Sequence, residues 1–82
     1  MTLPPSEVQV GWLYRNTKRG AIYRVVLLAT HSETDDVMVV YTSLDTGRHF
    51  ARPLDLFTGL RIDSDGTLTP RFVLEAEDGG QG

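Results

Sequence analysis

Ala21-Ile22-Tyr23-Arg24-Val25-Val26-Leu27-Leu28-Ala29-Thr30 and Val37-Met38-Val39-Val40-Tyr41-Thr42-Ser43-Leu44 are two dense β-type runs, joined by the polar link His31-Ser32-Glu33-Thr34-Asp35-Asp36. Branched and aromatic residues fill both runs, and each is short enough for a strand but continuous enough to need a partner. In the first run the odd positions Ala21, Tyr23, Val25, Leu27 and Ala29 are all apolar or aromatic, whereas the even positions include Arg24 and Thr30. Period two therefore predicts Tyr23, Val25 and Leu27 on the interior face. In the second run both faces are partly apolar, as in strongly bent strands that serve two halves of a small barrel. A long antiparallel pair in a chain of 82 residues leaves little room for a helical layer.

Working outward, Val8 to Arg15 reads as a first strand with a bend at Gly11, and Asn16-Thr17-Lys18-Arg19-Gly20 as a turn. Asp45-Thr46-Gly47 has the composition of a tight turn, because Asp and Gly accept positive φ, and Arg48 to Arg52 returns as a fourth strand. Pro53 removes a ladder donor, so Pro53 to Phe57 is predicted as one helical turn whose Leu54 and Phe57, at i and i+3, plug the interior. Leu60 to Ile62 and Thr67 to Thr69, around Asp63-Ser64-Asp65-Gly66, form a last small hairpin before Pro70-Arg71-Phe72-Val73-Leu74. The expected architecture is all-β: an SH3-like barrel of about five short antiparallel strands with one helical turn near residues 53–57. Residues 1–7 form an N-terminal arm, 8–74 the domain, and 75–82 a disordered acidic Gly-rich tail.

Composition bounds the function. An apolar fraction of 40% with 23% charged residues is that of a globular domain, and a chain this short buries only about 60 to 65% of its unfolded surface. The absence of cysteine excludes disulfides, thiolate metal sites and thiol nucleophiles. No basic-then-apolar leader and no apolar run near the ~20 residues that span a bilayer is present, so a cytoplasmic location without membrane insertion is expected. Net charge is −3, but residues 1–30 carry four bases against Glu7 and residues 31–82 four arginines against ten acids. One end is basic. Generic duplex binding calls for a larger cation excess, and nucleic acid is disfavoured as a partner.

The series Tyr14-Arg15, Lys18, Gly20, Tyr23-Arg24-Val25, His31-Ser32-Glu33-Thr34, Val39-Val40-Tyr41, Arg52-Pro53-Leu54, Phe57 and Pro70-Arg71-Phe72 resembles the small bacterial domains of unknown function numbered sixteen fifty-three. The resemblance spans residues 11–72, and its most specific pieces are His-Ser-Glu-Thr before Val-Val-Tyr, Arg-Pro-Leu followed by Phe, and the closing Pro-Arg-Phe. It departs at Asn16 and Phe50, where the family carries histidine and tryptophan. The resemblance implies a small SH3-like β-barrel and confers no mechanism.

Several motifs invite sharper chemistry. Asp45-Thr46-Gly47 after an apolar strand imitates a retroviral-type aspartic protease, but Arg48 follows where a small residue is needed, and a hairpin turn accounts for it. Asp63-Ser64-Asp65-Gly66 opens like a calcium loop, yet Thr67-Leu68-Thr69-Pro70 supplies none of the later ligands. His31 and His49 are the two histidines, too few and too far apart in sequence to suggest a metal, and no cofactor is indicated. A small hydrolase using His31, Glu33 or Asp45 is the least favoured function, because adjacent residues on an extended chain point apart. Ser32 and Thr34, with Asp35 and Asp36, are instead expected to cap and shape the turn through side-chain to backbone bonds, and His31 or Glu33 to brace a neighbouring strand.

The arginines remain. Arg15, Arg24, Arg52 and Arg71 each neighbour an aromatic residue or a proline. Such an arginine either braces the fold, Arg52 or Arg71 pairing with Glu33, Asp36 or Asp55, or binds a carboxylate or phosphate while stacking on a ring. Trp12 carries the same ambiguity. The reading adopted is a non-enzymatic binding module for a peptide, protein or small anionic ligand, with Tyr14, Tyr23, Arg24, Tyr41, Arg52 and Arg71 as ligand-binding residues. Single-stranded nucleic acid on the Tyr14 to Arg24 hairpin, with bases stacked on tyrosine, is the alternative. Strand addition at Arg48 to Arg52 leaves a monomer or a weak homodimer as the expected state.

Overall fold

The computed structural model describes residues 8–77. Seven strands and one helical turn follow in chain order: β1 (Leu13–Asn16), β2 (Ile22–Thr30), β3 (Val37–Ser43), β4 (His49–Pro53), α1 (Leu54–Phe57), β5 (Leu60–Ile62), β6 (Leu68–Pro70) and β7 (Phe72–Ala76). Five of them form one antiparallel sheet in the order β4-β3-β2-β1-β7, and β5 and β6 form a separate hairpin. The fold is all-β, as the alternation predicts. It is not a closed barrel: β4 and β7 are the two edges of the sheet and do not pair with each other.

Register determines which side chains meet. Tyr14 lies opposite both Tyr23 and Leu74, Val25 opposite Tyr41, Tyr41 opposite Phe50, and Asn16 opposite Phe72. Facing partners share one side of a sheet, so these residues form a single inner face. Its centre is fully buried: Tyr14, Val25, Val39 and Phe57 expose nothing to solvent. Phe57 reaches that centre from α1, stacking on Phe72 at 4.2 Å between ring centres and meeting Tyr14 and Tyr41 edge-on. Pro53 ends β4 and Leu54 and Phe57 turn inward, as their spacing predicts. The turn closes on Thr58, whose amide and hydroxyl both donate to the Leu54 carbonyl. The next residue must be glycine, because a Cβ on Gly59 would stand 2.9 Å from the Asp55 carbonyl oxygen.

Three expectations need correction. Leu27 is 47% exposed, because a β-bulge places both Val25 and Leu27 opposite the consecutive pair Tyr41 and Val40 and leaves Val26 as the extra residue. One inserted residue reverses every later side chain in the strand. The first strand begins at Leu13 rather than Val8, because Gly11 at φ 93 turns the chain just before it. The tail does not begin at residue 75: β7 continues to Ala76, and Glu75 is ion-paired with Arg15 at 2.9 Å. The N-terminal arm at 1–7 and residues 78–82 lie outside the described residues.

The bulge makes a sharp contrast testable. Leu27→Thr is expected to change stability by no more than about 0.5 kcal/mol, the range of surface substitutions. Val25→Ala, two residues earlier, should remove about 1.5 to 3 kcal/mol. Urea denaturation of both variants checks the pair, and a loss at Leu27 matching that at Val25 would contradict the register.

Candidate anion-binding cleft

The inner face carries two residues that a continuous core would not tolerate. Asn16 closes β1, and Arg52 lies near the end of β4, two residues after the inward Phe50 and opposite the buried Val39. Because the sheet stays open between its edges, neither is sealed in. They line a cavity of about 170 Å³ together with Lys18, Arg19, Arg61 and Arg71. A second cavity of about 180 Å³ adjoins it, sharing Asn16, Arg19, Arg52 and Phe72 and adding Tyr23, Tyr41 and Phe50. A wider recess continues past Arg19 to Arg48. Six of the eight basic residues of a net-acidic chain therefore gather along one cleft.

Local structure brings them there. The Asn16 side-chain oxygen accepts from the amides of Lys18 and Arg19 at 2.9 and 3.0 Å, folding the turn after β1 so that both cations come to the cleft. The Thr17 amide donates to the Arg71 carbonyl at 3.0 Å, which fixes Arg71 beside that turn. Arg61 arrives from β5; its Nε donates to the Asp63 carboxylate at 2.9 Å and its Nη1 to the Thr17 hydroxyl.

Arg52 is held by a ring and a hydroxyl. Its guanidinium lies over the Phe72 ring, 5.8 Å from the centre, and its Nε donates to the Tyr41 hydroxyl at 3.3 Å. The ring contact and the Tyr41 hydrogen bond use the Cζ region and Nε, so the terminal Nη groups remain for a ligand. The aromatic residues do not form a free stacking floor. Phe72 has Phe57 stacked parallel to it as well as Arg52 over its ring, and Phe50 has Tyr41 stacked beside it and Arg48 over its ring. The rings hold arginines.

Among the described residues the ion pairs are Arg15–Glu75 and Arg61–Asp63. The bracing expected of Arg52 or Arg71 with Glu33, Asp36 or Asp55 does not occur. Lys18, Arg19, Arg52 and Arg71 line the cleft with no carboxylate of the described residues in reach of an ion pair, and like charges converging on a partly enclosed recess focus a positive potential there.

The structure brings Tyr23, Tyr41, Arg52 and Arg71 together and leaves out two of the predicted site residues. Tyr14 is completely buried, so it belongs to the core and offers no surface to a ligand or a base. Arg24 sits opposite Leu13 and Thr42 on the outer face. Asn16, Lys18 and Arg19 enter the sequence reading only as parts of the basic Tyr14 to Arg24 hairpin, and nothing in the sequence marks Arg61. The His31 segment is a self-contained turn: the His31 Nδ1 accepts from the amides of Glu33 and Thr34, and the Thr34 hydroxyl donates to Asp36. His31 and Asp45 flank opposite ends of β3, about 20 Å apart at strand rise, so the hydrolase grouping does not form. Among the described residues no cluster of His, Asp or Glu is arranged to hold a metal, and no helix is long and apolar enough to cross a membrane.

Asp63 anchors one wall. Hydrogen bonds from Thr69 and then from Arg61 hold its carboxyl below the ordinary carboxylate range. A lowered folded value means that the stabilisation is present above the ordinary carboxylate range and is lost as pH falls through the lowered value. Protection factors of the amides across residues 60–70, which divide out the intrinsic pH dependence of exchange, should therefore stay unchanged down to that range and fall only below it. Opening of the hairpin at a higher pH would show that Asp63 is not the anchor.

The chain matches the model of a family described as "Protein of unknown function (DUF1653)" over residues 13–74. It is also similar to the crystal structure of a protein of that family from Bordetella bronchiseptica, with 31% sequence identity and a TM-score of 0.70 over 90% of this chain and 95% of the other. No curated protein matches it.

Proposed function

We propose that this chain, which belongs to the DUF1653 family of proteins of unknown function, is a binding module that recognises an anionic group in the cleft between β1, β4 and β7. The observation that carries this reading is Arg52: over the Phe72 ring at 5.8 Å, tied by Nε to the Tyr41 hydroxyl, and without a carboxylate partner among the described residues. An arginine fixed in that way loses little side-chain freedom on binding and presents paired donors to a planar or tetrahedral anion. Lys18, Arg19 and Arg71 add charge around the same recess. Nothing comparable supports stacking of nucleic-acid bases, since the faces of Phe50 and Phe72 are occupied and Tyr14 is buried.

Titration with phosphate- and carboxylate-bearing compounds at low salt, followed by amide chemical shifts, tests the reading. Saturable shifts are expected at residues 16–19 and 71–72, shrinking as added salt screens the site. Shifts confined to the outer face of β2, or none at any concentration, would refute it.

A further inference from the structure

Resting on that reading of the cleft, we infer that the anion it takes is a phosphate dianion at the end of a small molecule, a phosphomonoester, rather than a carboxylate or a phosphodiester. The first ground is charge. Lys18, Arg19, Arg52 and Arg71 face one cavity of about 170 Å³ without ion-pair partners, and a single carboxylate would offset one of the four. The second is shape. A carboxylate accepts donors near one plane, whereas these cations come from three places in the chain: the β1–β2 turn, the end of β4 and the residue before β7. A tetrahedral group with three terminal oxygens accepts from three directions.

The third ground is the division of the cleft. The two chambers at Arg52 are each smaller than the ~300 Å³ at which small-ligand sites usually begin and share a wall made by Asn16, Arg19, Arg52 and Phe72, while the second opens past Arg19, Tyr23 and Phe50 into the wider recess of about 500 Å³. One chamber is lined by cations and fits a phosphate. Its neighbour, with Tyr23, Tyr41 and Phe50, fits the organic remainder of the ester. A monoester enters such a pair of chambers end-on, while a diester needs chain leaving the phosphate on both sides.

Calorimetric titration of the whole chain with ribose 5-phosphate, sulfate, glutarate and an oligonucleotide lacking terminal phosphates tests the assignment. Ribose 5-phosphate should bind at one site and tighten several-fold between about pH 5.5 and 7.5, because the second ionisation of a phosphate ester falls near pH 6. Sulfate, already divalent, should bind without that change. No histidine lines the cleft: His31 lies in the β2–β3 turn and His49 pairs with Thr42 on the outer face; the nearby carboxylates are Asp63, held by Arg61, and Asp45, in the recess past Arg19, and carboxylates ordinarily titrate below this pH window. The pH effect therefore reports the ligand's own ionisation. Arg52→Gln and Arg71→Gln should each weaken binding about 10-fold or more, the loss of a charge-assisted contact. Arg24→Gln, on the outer face, should leave it unchanged. Glutarate or the oligonucleotide binding as tightly as ribose 5-phosphate, or ribose 5-phosphate binding with no pH dependence, overturns the phosphomonoester assignment and leaves the anion cleft standing. Absence of binding by all four, in protein whose circular dichroism is native, overturns both.

Discussion

Phe57→Ala should cost the domain a large share of its stability. Truncating a buried phenylalanine removes about 3 to 5 kcal/mol, and a domain of this size holds about 4 to 12 kcal/mol in total. The position magnifies the loss, because α1 is a single turn and Phe57 is its one buried residue. Its ring lies parallel to Phe72 at 4.2 Å and edge-on to Tyr14 and Tyr41. Those three rings come from β1, β3 and β7, so one side chain links the two flanks of an open sheet. Phe57→Leu keeps much of the volume and should remove less than about 2 kcal/mol. Urea melts of the two variants measure the difference; a shift under about 1.5 kcal/mol for the alanine variant would mean that the sheet is held together elsewhere.

Replacing both Arg52 and Arg71 by alanine should abolish anion binding while the fold persists. Each residue is half-buried at the cleft and neither is in an ion pair, so removing them leaves no orphaned buried carboxylate. Arg52→Ala forfeits its contact with Phe72, worth about 0.5 to 1 kcal/mol at an accessible site. The binding loss should be far larger, about 100-fold or more for the pair if each contributes a charge-assisted hydrogen bond. Tyr41→Phe is the finer probe. It removes the hydroxyl that accepts from Arg52 Nε, keeps the ring in the core, and should weaken binding several-fold through loss of positioning. Full affinity in the double variant, measured under the same low-salt conditions, would separate the cleft from whatever the chain binds.

The pairing of β2 with β3 was legible because alternation survives through Tyr23, Val25 and Tyr41, and the plug at Leu54 and Phe57 because Pro53 and the i, i+3 spacing mark one helical turn. The fate of Leu27 was not legible. Val25-Val26-Leu27-Leu28 is apolar throughout, so the composition of the run does not reveal which residue bulges. Tyr14 illustrates a different limit: a tyrosine with a buried hydroxyl and a tyrosine flooring a groove are the same letter, and only its register opposite Tyr23 and Leu74 places it inside. Arg52 and Arg71 were recognisable from their neighbours, but their union with Lys18 and Arg19 depends on β7 returning to pair with β1, a contact between distant parts of the chain. The same pairing leaves β4 and β7 as edges and the inner face open beside Asn16 and Arg52. Local consistency breaks at those two inward polar residues, and that break coincides with the candidate site.

The side-chain Nε–Hε resonances of the arginines test the central claim most directly. In the free protein the Arg52 signal should be sharp and slow to exchange, because its Nε is bonded to the Tyr41 hydroxyl and its guanidinium lies over the Phe72 ring. Addition of a phosphate ester should shift the Arg52 and Arg71 signals in step, with Arg24 and Arg15 unmoved. An Arg52 signal averaged like that of a solvated side chain, and indifferent to every anion tried, would contradict the account.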